Sequence, residues 1–223
     1  MKPAVRRTTL AVDVVVLSPR EDALAVLLVR APAGARERWS LPWDAPQPGE
    51  GLEEAASRIS ASALGAVPAF FEQVGALCDG RRHPGDAEVS VGMAALSPAG
   101  AGTLVEGAEW FALSNLPTLA YRHRTIVDRA ADVVRQRVDQ SPLAFKLLPA
   151  TFTLSDLQAV YELLLDRPLH KASFRRALQA SYLVEPTDEW RSEGRGRPAQ
   201  LFRYAPRKRK GARRGVRFDL FTD

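Results

Sequence analysis

Glu50, Glu53 and Glu54 crowd one end of the segment "PGEGLEEAASRISASALG". A hard cation such as Mg²⁺ takes oxygen ligands, and acids spaced along a helix supply them. A metal held in that way polarises a phosphoryl group and activates water. The series does not continue. Beyond Arg58 stand Ile59, Ser60, Ser62 and Ala63, which carry no charge. Glu53 and Glu54 open a helix, where the helix dipole favours acids whatever their role. Metal-dependent hydrolysis is therefore not expected, and no catalytic residue, metal ligand or cofactor is assigned.

Two other groups of residues suit different chemistry. Lys171, Ser173, Arg175, Arg176 and Gln179 share the segment "HKASFRRALQAS" with the apolar Phe174 and Leu178. A recognition helix needs such a division: one side is held by the fold and the other enters the major groove. Arginine reads guanine with two hydrogen bonds, whereas Lys171 and Ser173 suit phosphates. The alternative for one of the two arginines is to pack along the helix or pair with an acid. Arg195 and Arg197, in "RSEGRGRP", would extend this surface at a Gly-rich tip, with Arg191 beside them. Arg30, Trp39 and Arg82 have the charge and ring surface to line a nucleotide or sugar pocket. Core packing for Trp39 and a strand end for Arg30 are the alternatives. For His123, packing or capping is preferred over a ligand role.

These residues need elements to hold them. "TLAVDVVVL" and "LAVLLVRA" read as two buried strands joined by the turn "SPREDA". The segment "LEEAASRISASAL" places Leu52, Ala56, Ile59 and Ala63 on one helical face, and Gly65 is placed to end the helix. "FFEQVGALC", "AEVSVGMAAL" and "AEWFALSNLP" read as further strands. "HRTIVDRAADVVRQRVD" reads as an amphipathic helix. Thr153 and Asp156 stand at capping-box spacing before a helix with Leu154, Leu157, Val160, Tyr161 and Leu164 on one face. A second helix over about 170–181 follows. The strands "YLVEP" and "QLFRYAP" then complete a helix–turn–helix with a β-hairpin.

Composition agrees with two modules. The 223 residues are 46% hydrophobic and 26% charged, enough for a sizeable core. Residues 1–141 carry 15 Lys and Arg against 17 Asp and Glu, a net of −2, whereas residues 142–223 carry 16 against 9, a net of +7. A basic C-terminal module points to a polyanion partner. The boundary is placed near residue 141, in the proline-containing "QSPLAFKLLP", and the basic stretch 206–223 is expected to be disordered. Apolar runs are too short for a bilayer. The start resembles no signal peptide, so a cytoplasmic protein is expected. One cysteine, Cys78, excludes an intrachain disulfide.

The N-terminal part resembles a Nudix domain, whose motif is G-x5-E-x7-R-E-U-x-E-E-x-G-U with U bulky and aliphatic. In register, Glu50, Arg58 and Gly65 match. Asp44 stands at the first glycine, and Ile59, Ser62 and Ala63 stand at three glutamates. "AEWFALSNLPTLAYRH", "SPLAFKLLPATFTLSDLQAVYELLLDRPLHKASFRRAL" and "GRPAQLFRY" resemble the Nudix-related transcriptional regulators, the NrtR family. The resemblance covers residues 9–205. It implies an α+β chain: a Nudix-like α/β/α sandwich with a mixed sheet (1–141), then a winged helix-turn-helix (142–205).

The resemblance also implies a homodimeric transcriptional regulator, a repressor of NAD or sugar metabolism genes, that binds double-stranded DNA at a palindromic operator and whose Nudix domain senses a small-molecule effector such as ADP-ribose or a sugar. Two departures weaken the case for ADP-ribose. The family's R-D-P-R element reads Arg82-His83-Pro84-Gly85 here, so its second arginine is lost. Arg122 stands where the family usually has an acid before the histidine. Two alternatives stay open: a Nudix-type diphosphatase with displaced acids, and a constitutive DNA-binding protein with a purely structural Nudix domain.

Overall fold

Val12, Val14 and Val16 alternate along the chain with Asp13, Val15 and Leu17, and both sets are fully buried. A strand apolar on both sides belongs at the centre of a sheet covered on both faces. In the computed structural model, which describes residues 8–192 and 198–206, this strand is β1 (Leu10–Arg20). Contacts divide the chain into two units, residues 1–133 and 134–223.

In the first unit β1 pairs antiparallel with β2 (Ala23–Arg30) out to Arg20 opposite Ala23. The turn is therefore only Glu21 and Asp22, with Glu21 at φ +50°, and "SPR" belongs to the strand. The remaining elements are β3 (Trp39–Ser40), β4 (Trp43–Asp44), α1 (Leu52–Leu64), β5 (Phe70–Leu77), β6 (Val89–Leu96), β7 (Ala108–Ala112) and the greater part of α2 (Tyr121–Val138). The sheet runs β3-β2-β1-β6-β5, with β4 on β1 and β7 on β2. Only β1 with β6 is parallel, so the sheet is mixed.

Helix α1 packs on the face bearing Val12, Val14 and Val16, through Ala55, Ala56, Ile59 and Ala63. Leu52, expected on that face, is 37% exposed. It is the first helical residue and stands clear of the sheet, and Ala55 takes its place. Gly65 ends the helix at φ +72°, its N–H donating to the Ala61 carbonyl. Helix α2 covers the other face. A Cβ on Gly92 would lie 2.7 Å from Ile126 Cγ2, so the helix can approach β6 this closely only over a glycine. These layers make the expected α/β/α sandwich.

The second unit contains β8 (Thr151–Phe152), α3 (Leu154–Leu165), α4 (Lys171–Ser181), β9 (Val184–Arg191) and β10 (Ala199–Tyr204), with the strands ordered β8-β10-β9. This is the expected winged helix. Leu157, Val160, Tyr161 and Leu164 of α3 are buried, as are Phe174, Ala177 and Leu178 of α4. The capping box forms as read. Thr153 Oγ1 accepts from the Asp156 N–H at 3.1 Å, and Asp156 Oδ2 accepts from the Thr153 N–H at 2.8 Å. Thr153→Ala should cost this unit about 1 kcal/mol, read as a lower denaturation midpoint. Arg195, Arg197 and the tail from residue 207 lie outside the described residues. No described helix is long and apolar enough to cross a membrane.

Candidate functional site

Beside the "LPWD" segment lies a cavity of about 330 Å³, bordered by Arg30, Trp43, Arg58, Ile59, Ser62 and Ala63 among others. Ligand pockets commonly fall in the range of roughly 300–1,000 Å³. The positions where the Nudix motif carries acids therefore face this cavity with an aliphatic chain, a hydroxyl and a methyl. Ser62 Oγ donates back to the Ile59 carbonyl at 2.7 Å.

Of the acids that remain nearby, Glu50, Asp44 and Glu54 are already committed. Arg58 donates to Glu50 Oε1 (2.8 Å) and Oε2 (2.9 Å), to Asp44 Oδ2 (2.7 Å) and to the Ala45 carbonyl (3.0 Å). The Gln47 N–H adds a 2.7 Å bond to Glu50. The Arg58 hydrogen bonds, then that of Gln47, hold Glu50 down at about 2. Glu54 spends its carboxylate on the Gly51 N–H at 2.8 Å. Arg58 and Glu50 thus staple the 44–51 loop to α1, and the donor set does not fit the Mg²⁺ that the fold family implies.

A second cluster sits on the α2 side of the sheet. Asp13, His83 and His123 are fully buried, and their ligand-type atoms lie within 4.8 Å of one another. His83 Nε2 is 2.8 Å and His123 Nε2 3.0 Å from Asp13 Oδ1. Both Nδ1 atoms accept backbone N–H groups: Gly85 to His83 at 3.0 Å and Leu41 to His123 at 3.1 Å. Each neutral ring must then carry its proton on Nε2 and donate it to Asp13. A metal on Nε2 would require a proton on Nδ1, facing another N–H. This is the reverse of the usual arrangement, in which a metal-bound histidine donates from its other nitrogen. The cluster is a hydrogen-bonded strut joining β1, the 78–88 loop, the 39–44 segment and α2. Burial alone would raise Asp13, but the bonds from His123 and His83 outweigh it and hold the carboxyl far below its usual range. Burial lowers His123.

Sequence reasoning passed over this strut. The signal was available: a carboxylate inside an apolar strand must find partners, and the chain has only three histidines. Arg122, at the start of α2, is equally buried and donates to the Ala87 carbonyl at 2.6 Å. It holds the same loop through that carbonyl.

The predicted pocket residues separate. Arg30 borders the cavity, with its guanidinium 4.4 Å above the Trp39 ring. Trp39 is 6% exposed and meets Phe111 edge-on at 4.9 Å, so it supports Arg30 from below and does not border the cavity itself. Arg82 lies 3.7 Å from Glu37 and also stands outside the cavity lining. Trp43, which sequence reasoning did not single out, borders it.

On α4, Phe174, Ala177 and Leu178 face inward, and Lys171, Arg175, Arg176 and Gln179 are exposed. At 100° per residue, Arg176 and Gln179 fall opposite the buried edge, with Arg175 and Lys171 to one side. Ser173 is half-buried on the other side, 3.4 Å from His170 Nδ1. Arg191 is not free at the wing. It donates to Asp156 Oδ1 at 2.8 Å and ties β9 to the first turn of α3.

Residues 7–130 match the NUDIX domain, and residues 144–204 match the NrtR DNA-binding winged helix domain. Over 206 residues the chain is 31% identical to the ADPR responsive transcriptional repressor NtrR of Acinetobacter baylyi, covering 88% of this chain and 82% of that protein. The chain belongs to the NrtR family. Shewanella oneidensis NrtR, crystallised with a 27mer DNA, superposes on this NrtR-family chain with a TM-score of 0.77 at 31% identity, covering 88% of this chain and 94% of that one. The NUDIX domain of the same protein, crystallised with ADP ribose, superposes with a TM-score of 0.51 at 26% identity, over 60% of this chain and 92% of that one.

Proposed function

We propose that this chain is a transcriptional repressor that holds operator DNA through its winged helix and releases it when ADP-ribose enters the Nudix unit. The observation that carries this reading is the division of α4. Its buried edge is fully apolar, and its exposed surface presents Arg176 and Gln179 opposite that edge with Arg175 and Lys171 to one side. The NrtR relatives, one named as ADPR responsive and one crystallised with DNA, support both halves. Residues 1–141 sense the effector and dimerise, and residues 142–205 bind DNA. Arg176, Arg175 and Gln179 read bases, Lys171 and Ser173 hold phosphates, and Arg195 and Arg197 reach the backbone or minor groove. A homodimer on a palindromic operator follows from the two-fold symmetry that both share. Arg30, seated on Trp39, borders the cavity and meets the effector's anionic group.

Hydrolysis is not part of this reading. Ser62 and Ala63 offer no carboxylate, and Arg58 occupies Glu50 and Asp44. Incubation with ADP-ribose and Mg²⁺ should release no AMP, and metal-dependent release would restore the enzyme reading.

The deciding experiment is binding of the protein to its own promoter DNA with and without ADP-ribose. Specific binding that ADP-ribose abolishes is expected. That binding should fall steeply with salt, because each neutralised phosphate releases counterions with a slope of about −0.9. DNA binding that ADP-ribose leaves intact would favour the second reading, a sugar or another nucleotide as effector. Gly85 in place of the family's arginine is the feature that keeps it in view.

A further inference from the structure

The sheet face that carries α1 extends beyond the helix. The apolar cluster under α1 takes in Val16 of β1 and Leu27 of β2. Side chains two apart on a strand share a face, and residues directly opposite one another share it too. Arg20 stands opposite Ala23, Ala25 opposite Ala112, and Leu27 opposite Trp110. Arg20, Ala23, Ala25, Ala112 and Trp110 therefore all project from the α1 face, at the closed end of the β1–β2 hairpin. With Glu21 and Ala99 they border a hollow of about 540 Å³. It shares no lining residue with the cavity beside Arg58.

The floor of this hollow is level, because Ala23, Ala25 and Ala112 each raise only a methyl above the strands. Arg20 stands at its edge, with the guanidinium carbon 4.5 Å from the centre of the Trp110 ring. The indole holds the flat side of the guanidinium. Its Nε is buried without a hydrogen-bond partner, and among the described residues Arg20 forms no ion pair. Glu21 borders the same hollow and does not pair with it. Burial pulls Arg20 below the usual guanidinium value, as expected of a cation with no acid to offset its desolvation. A guanidinium seated flat on an indole keeps its in-plane Nη donors for a ligand, and those donors match a carboxylate.

From this arrangement we propose that the hollow is a second ligand site, separate from the effector cavity, for a small organic carboxylate with a flat apolar body. The body lies on the three alanine methyls and the carboxylate meets Arg20. One guanidinium balances one carboxylate. A phosphate dianion would carry an uncompensated charge beside Glu21. The volume falls within the range of roughly 300–1,000 Å³ common to ligand pockets.

Titration of the full chain with benzoate, followed by ligand-observed NMR, tests the site. Benzamide, which keeps the ring and loses the charge, and phenyl phosphate, which changes the anion, are the comparisons. Benzoate should bind saturably, and benzamide should bind about ten-fold more weakly or worse. Phenyl phosphate should also bind more weakly than benzoate. Arg20→Gln should weaken benzoate by about ten-fold or more and leave benzamide unchanged. Ala23→Leu, at a position only half-buried, fills the floor and should abolish binding of all three. Thermal melts of both variants should match wild type. Benzoate that does not saturate the wild-type protein overturns the proposal, as does wild-type benzoate affinity in Arg20→Gln. Benzamide or phenyl phosphate binding as tightly as benzoate overturns the carboxylate assignment. Displacement of benzoate by ADP-ribose overturns the separation of the two sites. The proposal stands or falls independently of whether ADP-ribose is the effector.

Discussion

Replacing Asp13 by alanine should cost the N-terminal unit about 2–6 kcal/mol, because it orphans two buried donors. The carboxylate has no exposure and receives both imidazoles, at 2.8 and 3.0 Å. Without it two buried N–H groups lose their acceptor, at about 1–3 kcal/mol each. Denaturant unfolding of the mutant and wild type would measure the loss, and a change below about 1 kcal/mol would show the strut to be dispensable.

The same cluster sets a pH dependence. His123 is lowered by burial in the folded chain, whereas in the unfolded chain it binds a proton below about 6.5. Over that interval the unfolded state holds more protons, so stability falls as pH drops from about 7.5 toward 5.5. Asp13 is also lowered. Its contribution is present above the unfolded value of about 3.9 and is lost only as pH falls through its much lower folded value. Thermal melts across pH 5.5–8 should therefore show a midpoint that rises with pH. A flat profile would contradict the buried, neutral His123.

Removing the guanidinium of Arg175 or Arg176 should weaken operator binding by about 1–3 kcal/mol if that residue reads a base. Both side chains are exposed on α4, so folding should be unaffected and circular dichroism unchanged. The two roles separate by salt and sequence. A base reader loses discrimination at one operator position, whereas a phosphate contact weakens all sequences and lowers the salt slope by about 1. Operator affinity untouched in both single mutants and in the double mutant would take α4 out of the DNA interface.

Much of the fold was legible because its signals are local. The buried strand β1, the Gly65 helix stop and the Thr153–Asp156 capping box each depend on residues a few positions apart. The side of α4 that faces solvent follows from the same short-range periodicity. The first turn of α1 was less legible. Periodicity put Leu52 on the buried face, but where a helix meets its sheet is decided by the sheet. The pocket was the least legible part. Trp39 carried the expected chemistry and lies beneath the cavity, whereas Trp43, four residues on, borders it. Arg191 was read as part of a free wing and is held by Asp156 on a different element.

The sequence by itself determined the two modules, their charge asymmetry, the loss of the motif acids at Ile59, Ser62 and Ala63, and the amphipathic α4. All of these are properties of residue type and short spacing. Only the tertiary structure decided that Asp13 meets His83 and His123, 70 and 110 residues away, and that Trp43 fills the space beside Gly85. Such contacts are set by the pairing of strands and the closure of α2 on the sheet. Neither residue type nor local periodicity encodes which distant partner will arrive, because burial demands a partner without specifying one.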